Sequence, residues 1–441
     1  MSERWARTIL TAYRWTGAIV YPFIGTYVSW RAAKGKEDSS RRRERYGLSA
    51  RRRPEGPLVW MHAASVGETN AVVPLIERIL ASDITVVLTT GTVTSAKVVE
   101  SRLGGRIIHQ YVPLDLKPAV SNFLDHWRPD LAIIAESEIW PMTILELGAR
   151  RVPQVLVNGR LSDRSYASWK KRPYLAEALF ENLAHVVAQS EVDGERFASL
   201  GARPVTVSGN LKVDTDPPPV DEAALADLRR QIGARRTWSA ISTHDGEEIV
   251  TAEVHEMLKP RHPGLLTILV PRHPDRADEI AKALAARGLK VARRSRRQPI
   301  ASDTDILLGD TIGEMGLYLR LTEIAFVGRS LTAEGGQNPL EPAMLNTAVL
   351  AGLNVQNFRE SYQRLIDKGG AKLVRDRDML AGAVNFLLKN PNVRRNMITA
   401  AASAVEEMRG ALDRTYRVLD PFIQPLMVKS RLRHGGGQGA G

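Results

Sequence analysis

Four stretches of this 441-residue chain gather acids, amides and guanidinium groups where an apolar run stops. In HAASVGE, from His62 to Glu68, Gly67 suits a tight turn and Glu68 falls at the start of a following helix, with Ser65 and Gly67 as candidate substrate contacts. A carboxylate there is held ionised by the helix dipole and can serve as a base, although the same Glu68 could be a helix cap and nothing more. In AESEIWP, from Ala135 to Pro141, Glu136 and Glu138 share parity, so an extended chain would turn both to one side. They suit paired acid chemistry, or only solubility. VNGRLSDRS, from Val157 to Ser165, offers Asn158 and Arg160 to a phosphate or sugar, or begins a helix capped at Ser162 or Asp163. GGQNPLEPA, from Gly335 to Ala343, is chemically explicit. Gly335 and Gly336 permit close backbone approach, Asn338 suits an N-cap and Pro339 the first helical position. Free N–H groups there would bind phosphate, and Glu341 could meet a ribose diol. A well-capped helix is the plainer reading.

Three further polar loops accompany the last of these. STHDGEE, with Ser242, Thr243 and His244, is followed by PRHP, with Arg272 and His273, and by GDTIGEM, with Gly313, Glu314 and Met315. Arg272 suits a phosphate or carboxylate clamp. His244 and His273 raise the question of a metal, but no carboxylate-rich cluster at metal spacing joins them, so no metal is expected. No GxGxxG, Walker or HExxH motif stands where a strand and helix would use it.

The elements that must position these loops are legible in the runs before them. PLVWMHA (57–63), ITVVLTT (84–90), IIHQYV (107–112), LAIIAES (131–137), VPQVLVNG (152–159), HVVAQS (185–190) and VTVSGN (205–210) read as buried strands with helical stretches between. A second set follows, at 238–243, 265–272, 305–310, 324–328, 348–352 and 371–376. Alternation of this kind predicts parallel sheets covered on both faces, in an α/β class of two doubly wound domains facing a cleft. The expected plan is a membrane anchor at 1–34, a first domain at 35–213, a linker at 214–235 around three consecutive prolines, a second domain at 236–425 and a disordered tail at 426–441. Residues 15–30 carry no charge and are rich in Trp and Tyr, which suits a headgroup-level anchor or a short tilted span.

Composition narrows the partners. The net charge of +12 favours anionic ones: nucleic acid, an acidic membrane face or phosphorylated substrates. The arginine runs at 41–53 and 293–297 have no interleaved aromatics, so no nucleic-acid partner is expected. Cysteine is absent, which excludes disulfides, thiolate metal sites and a cysteine nucleophile.

Taken in order and spacing, HAASVGE, ESEIWP, NGRLSDRS, SGNLKVD, STHDGEE, PRHP, GDTIGEM and GGQNPLEPA resemble the Kdo (3-deoxy-manno-octulosonic acid) transferases of lipopolysaccharide biosynthesis. GKEDSSRRRERYG at 35–47 resembles that family's segment after the anchor. The resemblance runs from about Trp15 to Phe422. It implies a GT-B fold, with acceptor on the N-terminal half and CMP-Kdo on the other. It also implies inverting, metal-independent transfer to a lipid A precursor at the cytoplasmic face of the inner membrane, beside anionic lipids. Glu68 matches the family's general base and Glu136 a second important acid. Arg272, Gly313, Glu314, Met315, Asn338 and Glu341 match the nucleotide side. The chain departs from the pattern at Gln337, Asp245, Met142 and Arg329, where His, Glu, Asn and Gly are usual. These neighbours of matched positions affect donor contacts and acceptor choice, not the class.

Overall fold

The computed structural model describes residues 37–435, with Gly25 and Ser29. The described residues form two compact units, one made of those up to 215 together with 409–435 and a second of 216–408. The proposed anchor at 1–34 lies outside the described residues apart from Gly25 and Ser29. Among the described residues, no helix is long and apolar enough to cross a membrane.

The first unit holds seven strands: β1 Leu58–His62, β2 Thr85–Thr90, β3 Ile108–Tyr111, β4 Leu131–Ala135, β5 Gln154–Gly159, β6 His185–Ala188 and β7 Val205–Val207. They pair in parallel in the order β3-β2-β1-β4-β5-β6-β7. β1 and β4 are buried at every position, as a sheet covered on both faces requires. One face packs Trp60, Phe123, Trp127 and Phe180; the other packs Val72, Ile76, Ile133 and Val187.

The second unit holds β8 Thr237–Thr243, β9 Leu266–Pro271, β10 Val291–Arg293, β11 Ile306–Leu308, β12 Ile324–Val327, β13 Ala348–Ala351 and β14 Ala371–Leu373. Their order is β10-β11-β9-β8-β12-β13-β14, again all parallel. Both sheets are therefore of the doubly wound, Rossmann-like kind. Strand order reverses beside β1 in the first sheet, where β4 takes up the opposite direction of winding, and beside β8 in the second, where β12 does so.

Three features differ from those expected. The stretch 214–235 is not simply a linker, because Glu222–Ile232 is an 11-residue helix capped by the Asp221 carboxylate. β10, a three-residue edge strand, was too short and too polar to stand out. The expected second domain to 425 and the disordered tail at 426–441 give way to a helix over Ala411–Gly435. That helix belongs to the first unit. Its Leu419, Ile423 and Leu426 complete the core that Val72 and Ile133 begin. Asp214 accepts hydrogen bonds from Gly410 N (2.8 Å) and Leu412 N (2.6 Å), and Ser430 Oγ donates to the Asp83 carbonyl at 2.9 Å. Residues 436–441 lie outside the described residues.

The arginine-rich segment after residue 37 is also structured. Arg45 is buried, pairs with Glu37 at 2.9 Å and donates to the carbonyls of Gly91 and Val112. Arg41 grips Glu44 and the His109 carbonyl, and Arg53 donates to the Trp127 carbonyl. These side chains fasten the segment to the first sheet instead of forming a free cationic face.

Because Ile423 is fully buried in the first unit, Ile423→Ala should destabilise that unit by about 2–5 kcal/mol. Denaturant unfolding of the full chain, followed by tryptophan fluorescence from the first sheet, measures it. A loss under about 1 kcal/mol would show that the C-terminal helix is not part of this core.

Candidate functional site

Doubly wound sheets take ligands beyond the carboxyl ends of the strands flanking the reversal. In the first unit these are β1 and β4. The chain leaves β1 at His62 and enters the helix Val66–Leu80 through Ser65, which is its N-cap. Ser65 Oγ receives the Glu68 N–H at 3.3 Å and donates to Glu68 Oε1 at 2.8 Å, while Glu68 Oε2 accepts the Ala64 N–H at 2.7 Å. This arrangement resembles a capping box, so Glu68 is indeed a cap. It is also more than a cap. Burial, followed by the charges of Glu136 and Glu138, raises its carboxyl above the ordinary range, against the hydrogen bonds from Ser65 and Ala64. The expectation that the helix dipole holds it ionised is thus corrected: burial and the neighbouring acids push its carboxyl the other way. Gly67 is corrected too. It lies inside the helix without a positive φ, and an added Cβ would meet only Lys212 Cε at 3.9 Å.

β4 ends at Ala135, and Glu136 turns the chain with φ +56°. Parity along an extended strand therefore does not apply to Glu136 and Glu138. The turn nevertheless brings both charges to bear on Glu68. Glu136 is buried, ion-paired with Lys212, and accepts from Asn158 Nδ2 at 3.3 Å. Asn158, fully buried and itself at φ +52°, accepts the Leu211 N–H at 3.0 Å. It is an internal tie between β5 and the 211–213 turn, not an exposed sugar contact. Arg160 adds positive potential beside Asp193. Ser162 caps the helix Asp163–Lys170, the plainer of the two readings of that loop.

In the second unit the loops beyond β8 and β12 meet on one carboxylate. Glu247, with no exposed surface, accepts four backbone N–H groups: those of His244 (2.9 Å), Arg329 (2.6 Å), Ser330 (2.9 Å) and Leu331 (3.0 Å). Ser242 and Arg329 both adopt left-handed backbone, at φ +52° and +54°. The Arg329 departure from Gly is thus housed at a position where only a few non-glycine residues sit comfortably. Thr243 Oγ1 donates to Glu248 at 3.2 Å, and His244 lies 5.6 Å edge-on from His273. Burial lowers the His244 ring below the usual histidine range. Arg272 is exposed, with no side-chain partner among the described residues, and Asp245 pairs with Arg276.

The glycine pair reads differently from its expectation. Gly335 and Gly336 have φ +119° and +71°, and a Cβ would strike Asn357 or the backbone of Asn354 and Val355. Their N–H groups are already donated, Gly335 to Gln356 Oε1 and Gly336 to the Arg329 carbonyl. They close the loop on the chain itself. The helix after them is one turn, Leu340–Met344, and its first N–H goes to Asn338 Oδ1 at 3.1 Å. Glu341 accepts from Asn338 Nδ2, and the Gln337 carbonyl accepts from Tyr362. Gly313 (φ +86°) leaves open space around it, Glu314 is held by Arg294 and Thr311, and Met315 begins the helix Met315–Leu319. Burial would raise Glu314, yet Arg294 and Thr311 outweigh it and hold it low. Among the described residues, no group of three or more His, Cys, Asp and Glu side chains could hold a metal ion.

Residues 40–215 match the family model described as 3-deoxy-D-manno-octulosonic-acid transferase (kdotransferase). The 3-deoxy-D-manno-octulosonic acid transferase of Haemophilus influenzae is 33% identical over 422 residues, 92% of this chain and 97% of that protein. This chain belongs to the 3-deoxy-D-manno-octulosonic acid transferase family. The fold is shared more widely. A glycosyltransferase from Rickettsia africae has a TM-score of 0.60 at 12% identity, over 84% of this chain and 99% of that one. A UDP-GlcNAc 2-epimerase from Neisseria meningitidis bound to UDP-GlcNAc has a TM-score of 0.54 at 15% identity, over 81% of this chain and all of that one. Two such different names on one architecture show that the fold alone does not choose the reaction.

For a member of the Kdo transferase family, two residues of this site were not singled out from sequence. Lys212 stands within SGNLKVD and Glu247 within STHDGEE. Nothing in the spacing says that Lys212 reaches Glu136, or that Glu247 gathers four amides. A run of two acids at a helix start, as at Glu247 and Glu248, was the available signal for the second.

Removing the Glu247 carboxylate leaves four amides in a buried loop without their acceptor, and each unsatisfied group costs about 1–3 kcal/mol. Glu247→Ala should therefore destabilise the second unit by about 3 kcal/mol or more, read by denaturant unfolding. Near-unchanged stability would show that the loops beyond β8 and β12 are held by something else.

Proposed function

We propose that this chain transfers Kdo from CMP-Kdo to a hydroxyl of a lipid A precursor, with inversion and without a metal ion, at the cytoplasmic face of the inner membrane. The observation that carries the chemistry is Glu68. It sits at the strand-order reversal of the first sheet, held by Ser65 and Ala64, with burial and two neighbouring acids raising its carboxyl. A base poised nearer neutrality is better matched to a hydroxyl proton than a fully solvated glutamate. Each oxygen of the ionised carboxylate keeps acceptor capacity beyond its one hydrogen bond.

The step balances simply. The acceptor oxygen forms a bond to the anomeric carbon of Kdo as the bond to the CMP phosphate breaks. The electron pair of that bond leaves with the phosphate, and the acceptor proton goes to Glu68. Glu136, neutralised by Lys212, supports the acceptor side by position and not as a second base. On the donor side, Arg272 follows β9 with its side chain exposed and without a side-chain partner among the described residues, which suits a departing phosphate. The family membership supports the donor. The lipid acceptor, the membrane face and anionic lipid partners fit the net charge and the uncharged aromatic stretch at 15–30.

Glu68→Gln keeps the size of the side chain and removes its capacity to take a proton. Turnover should fall by about 100- to 10,000-fold with the KM for CMP-Kdo nearly kept. In the wild type, kcat/KM should decline as pH falls through a value above the ordinary 4.5 of glutamate, since burial and like charges favour the protonated form. A folded Glu68→Gln enzyme with near wild-type turnover would sink the assignment and leave Glu138 as the candidate base.

Transfer should persist in excess EDTA. Loss of activity in chelator, restored by magnesium, would overturn the metal-free reading.

A further inference from the structure

Trp140 ends the loop that leaves β4 and stands at the N-cap of the helix Pro141–Ala149. That position usually goes to Ser, Thr, Asp or Asn, whose side chain takes one of the free N–H groups of the first turn. Trp140 makes no such bond. Asp115 performs that task from the loop after β3. Its carboxylate accepts the Met142 N–H at 3.0 Å, the Thr143 N–H at 2.8 Å and the Thr143 hydroxyl at 2.8 Å. Nor does Trp140 build the core. Met142 is buried in it and Ile139 packs against it, whereas Trp140 between them is 39% exposed.

The exposed ring is nevertheless fixed. Its N–H donates to Glu138 Oε2 at 2.5 Å. The proline that follows favours extended backbone at Trp140, which has φ −102° and ψ 104°. Glu138 Oε2 in turn lies 3.7 Å from His62 Nε2, at the end of β1, where the chain turns towards the helix that carries Glu68. A single exposed apolar side chain needs no explanation on an ordinary surface. This one has a held pose, and it lies beyond the carboxyl end of β4, one of the two strands at the reversal, where a doubly wound sheet takes its ligand. A tryptophan that neither caps nor packs, and whose polar edge is already tied, offers a ligand its flat apolar face.

We propose that Trp140 is the platform for the sugar ring of the acceptor. The proposal rests on the reading of this end of the first sheet as the acceptor side of the transfer. A glucosamine ring in its chair form presents axial C–H groups on its faces and polar groups around its rim. One C–H face stacks on the indole and excludes water from both. The rim meets Glu138, whose Oε1 has no hydrogen-bond partner among the described residues and can accept from a hydroxyl or an amide N–H. An apolar ring beside a placed acceptor is how a site fixes the orientation of a small ligand. The platform sets the plane of the acceptor ring, and with it the hydroxyl that comes within reach of Glu68. Trp140 is therefore a substrate-binding residue that takes no part in bond making.

Steady-state kinetics of the full chain and three variants test this, with CMP-Kdo and acceptor varied in turn. Trp140→Ala should raise the acceptor KM by about tenfold or more and leave the KM for CMP-Kdo within about twofold of its original value. Trp140→Phe keeps an aromatic face and should recover most of that loss. Trp140→Leu, apolar but not flat, should not. A merely structural Trp140 would weaken both substrates alike, or lower kcat in step with the melting temperature, and that result overturns the proposal. A Leu variant as good as the Phe variant overturns it too.

Tryptophan fluorescence separates binding from the base assignment. The probe is a water-soluble phosphorylated glucosamine disaccharide without acyl chains, added to the Glu68→Gln chain. Eight Trp residues emit, so the Trp140 share is the difference between this protein and the same protein carrying Trp140→Phe. The disaccharide should change that share. If Glu68→Gln proves active while this signal holds, the base reading fails and the platform stands. A Trp140 share indifferent to the disaccharide overturns the platform; if phosphatidic acid vesicles change it instead, the ring meets acyl chains and not the sugar.

Discussion

A parallel sheet can reverse its strand order only by sending neighbouring connections to opposite faces, and this opens a gap beyond the carboxyl ends of the two strands at the reversal. Both sheets of this chain do so, between β1 and β4 and between β8 and β12. Much else follows from that constraint. The loops that leave these four strands carry the acids, amides and guanidinium groups that chemistry requires. Four non-glycine residues at or near strand ends, Glu136, Asn158, Ser242 and Arg329, hold left-handed backbone. Such conformations cost about 1–3 kcal/mol each and persist where the surroundings over-determine them. The surroundings here are specific: Lys212 and Asn158 hold Glu136, and the Glu247 carboxylate holds the amide of Arg329.

The two units solve the problem of fixing a loop with the same chemical device used in opposite directions. In the second, one buried carboxylate gathers four amides and stiffens a loop. In the first, three carboxylates are brought to one place and kept tolerable by Lys212, by Ser65 and by hydrogen bonds from the backbone. A loop held by a single acid is stable and chemically quiet. A buried cluster of acids is electrostatically uneasy: burial first, and then Glu136 and Glu138, raise Glu68. Stability and reactivity thus draw on the same residue type, separated by how many share a site.

The strands were legible because a buried parallel strand must be a short apolar run, and β1, β2, β4, β5, β9 and β12 all are. β10 was not, because an edge strand of three residues needs no such run. Glu68 could be read as a base from its place after a strand and its family match, but not the cause of its raised carboxyl, which is its burial and then Glu136 and Glu138 arriving from another loop. Gly335 and Gly336 read, from sequence, as letting backbone approach a ligand. In the structure the chain's own 354–357 segment approaches them, and no local pattern foretells that. The arginines after residue 37 looked like a solvated face, since sequence does not reveal that Gly91, Val112 and Trp127 would offer them carbonyls.

The helix Ala411–Gly435 gives the first unit a discontinuous ancestry along the chain. A polypeptide emerges from the ribosome in order, at about 5–20 residues per second, and domains tend to fold as they appear. For this protein the order of completion is inverted. Residues 216–408 hold all seven strands of their sheet and can close their core as soon as they emerge. The earlier residues, 37–215, cover one face of their sheet only in part, with Val72, Ile76 and Val99, until Leu419, Ile423 and Leu426 have been made. The half of the molecule synthesised first is therefore the half finished last, and during that interval its apolar face is the one that a chaperone would meet.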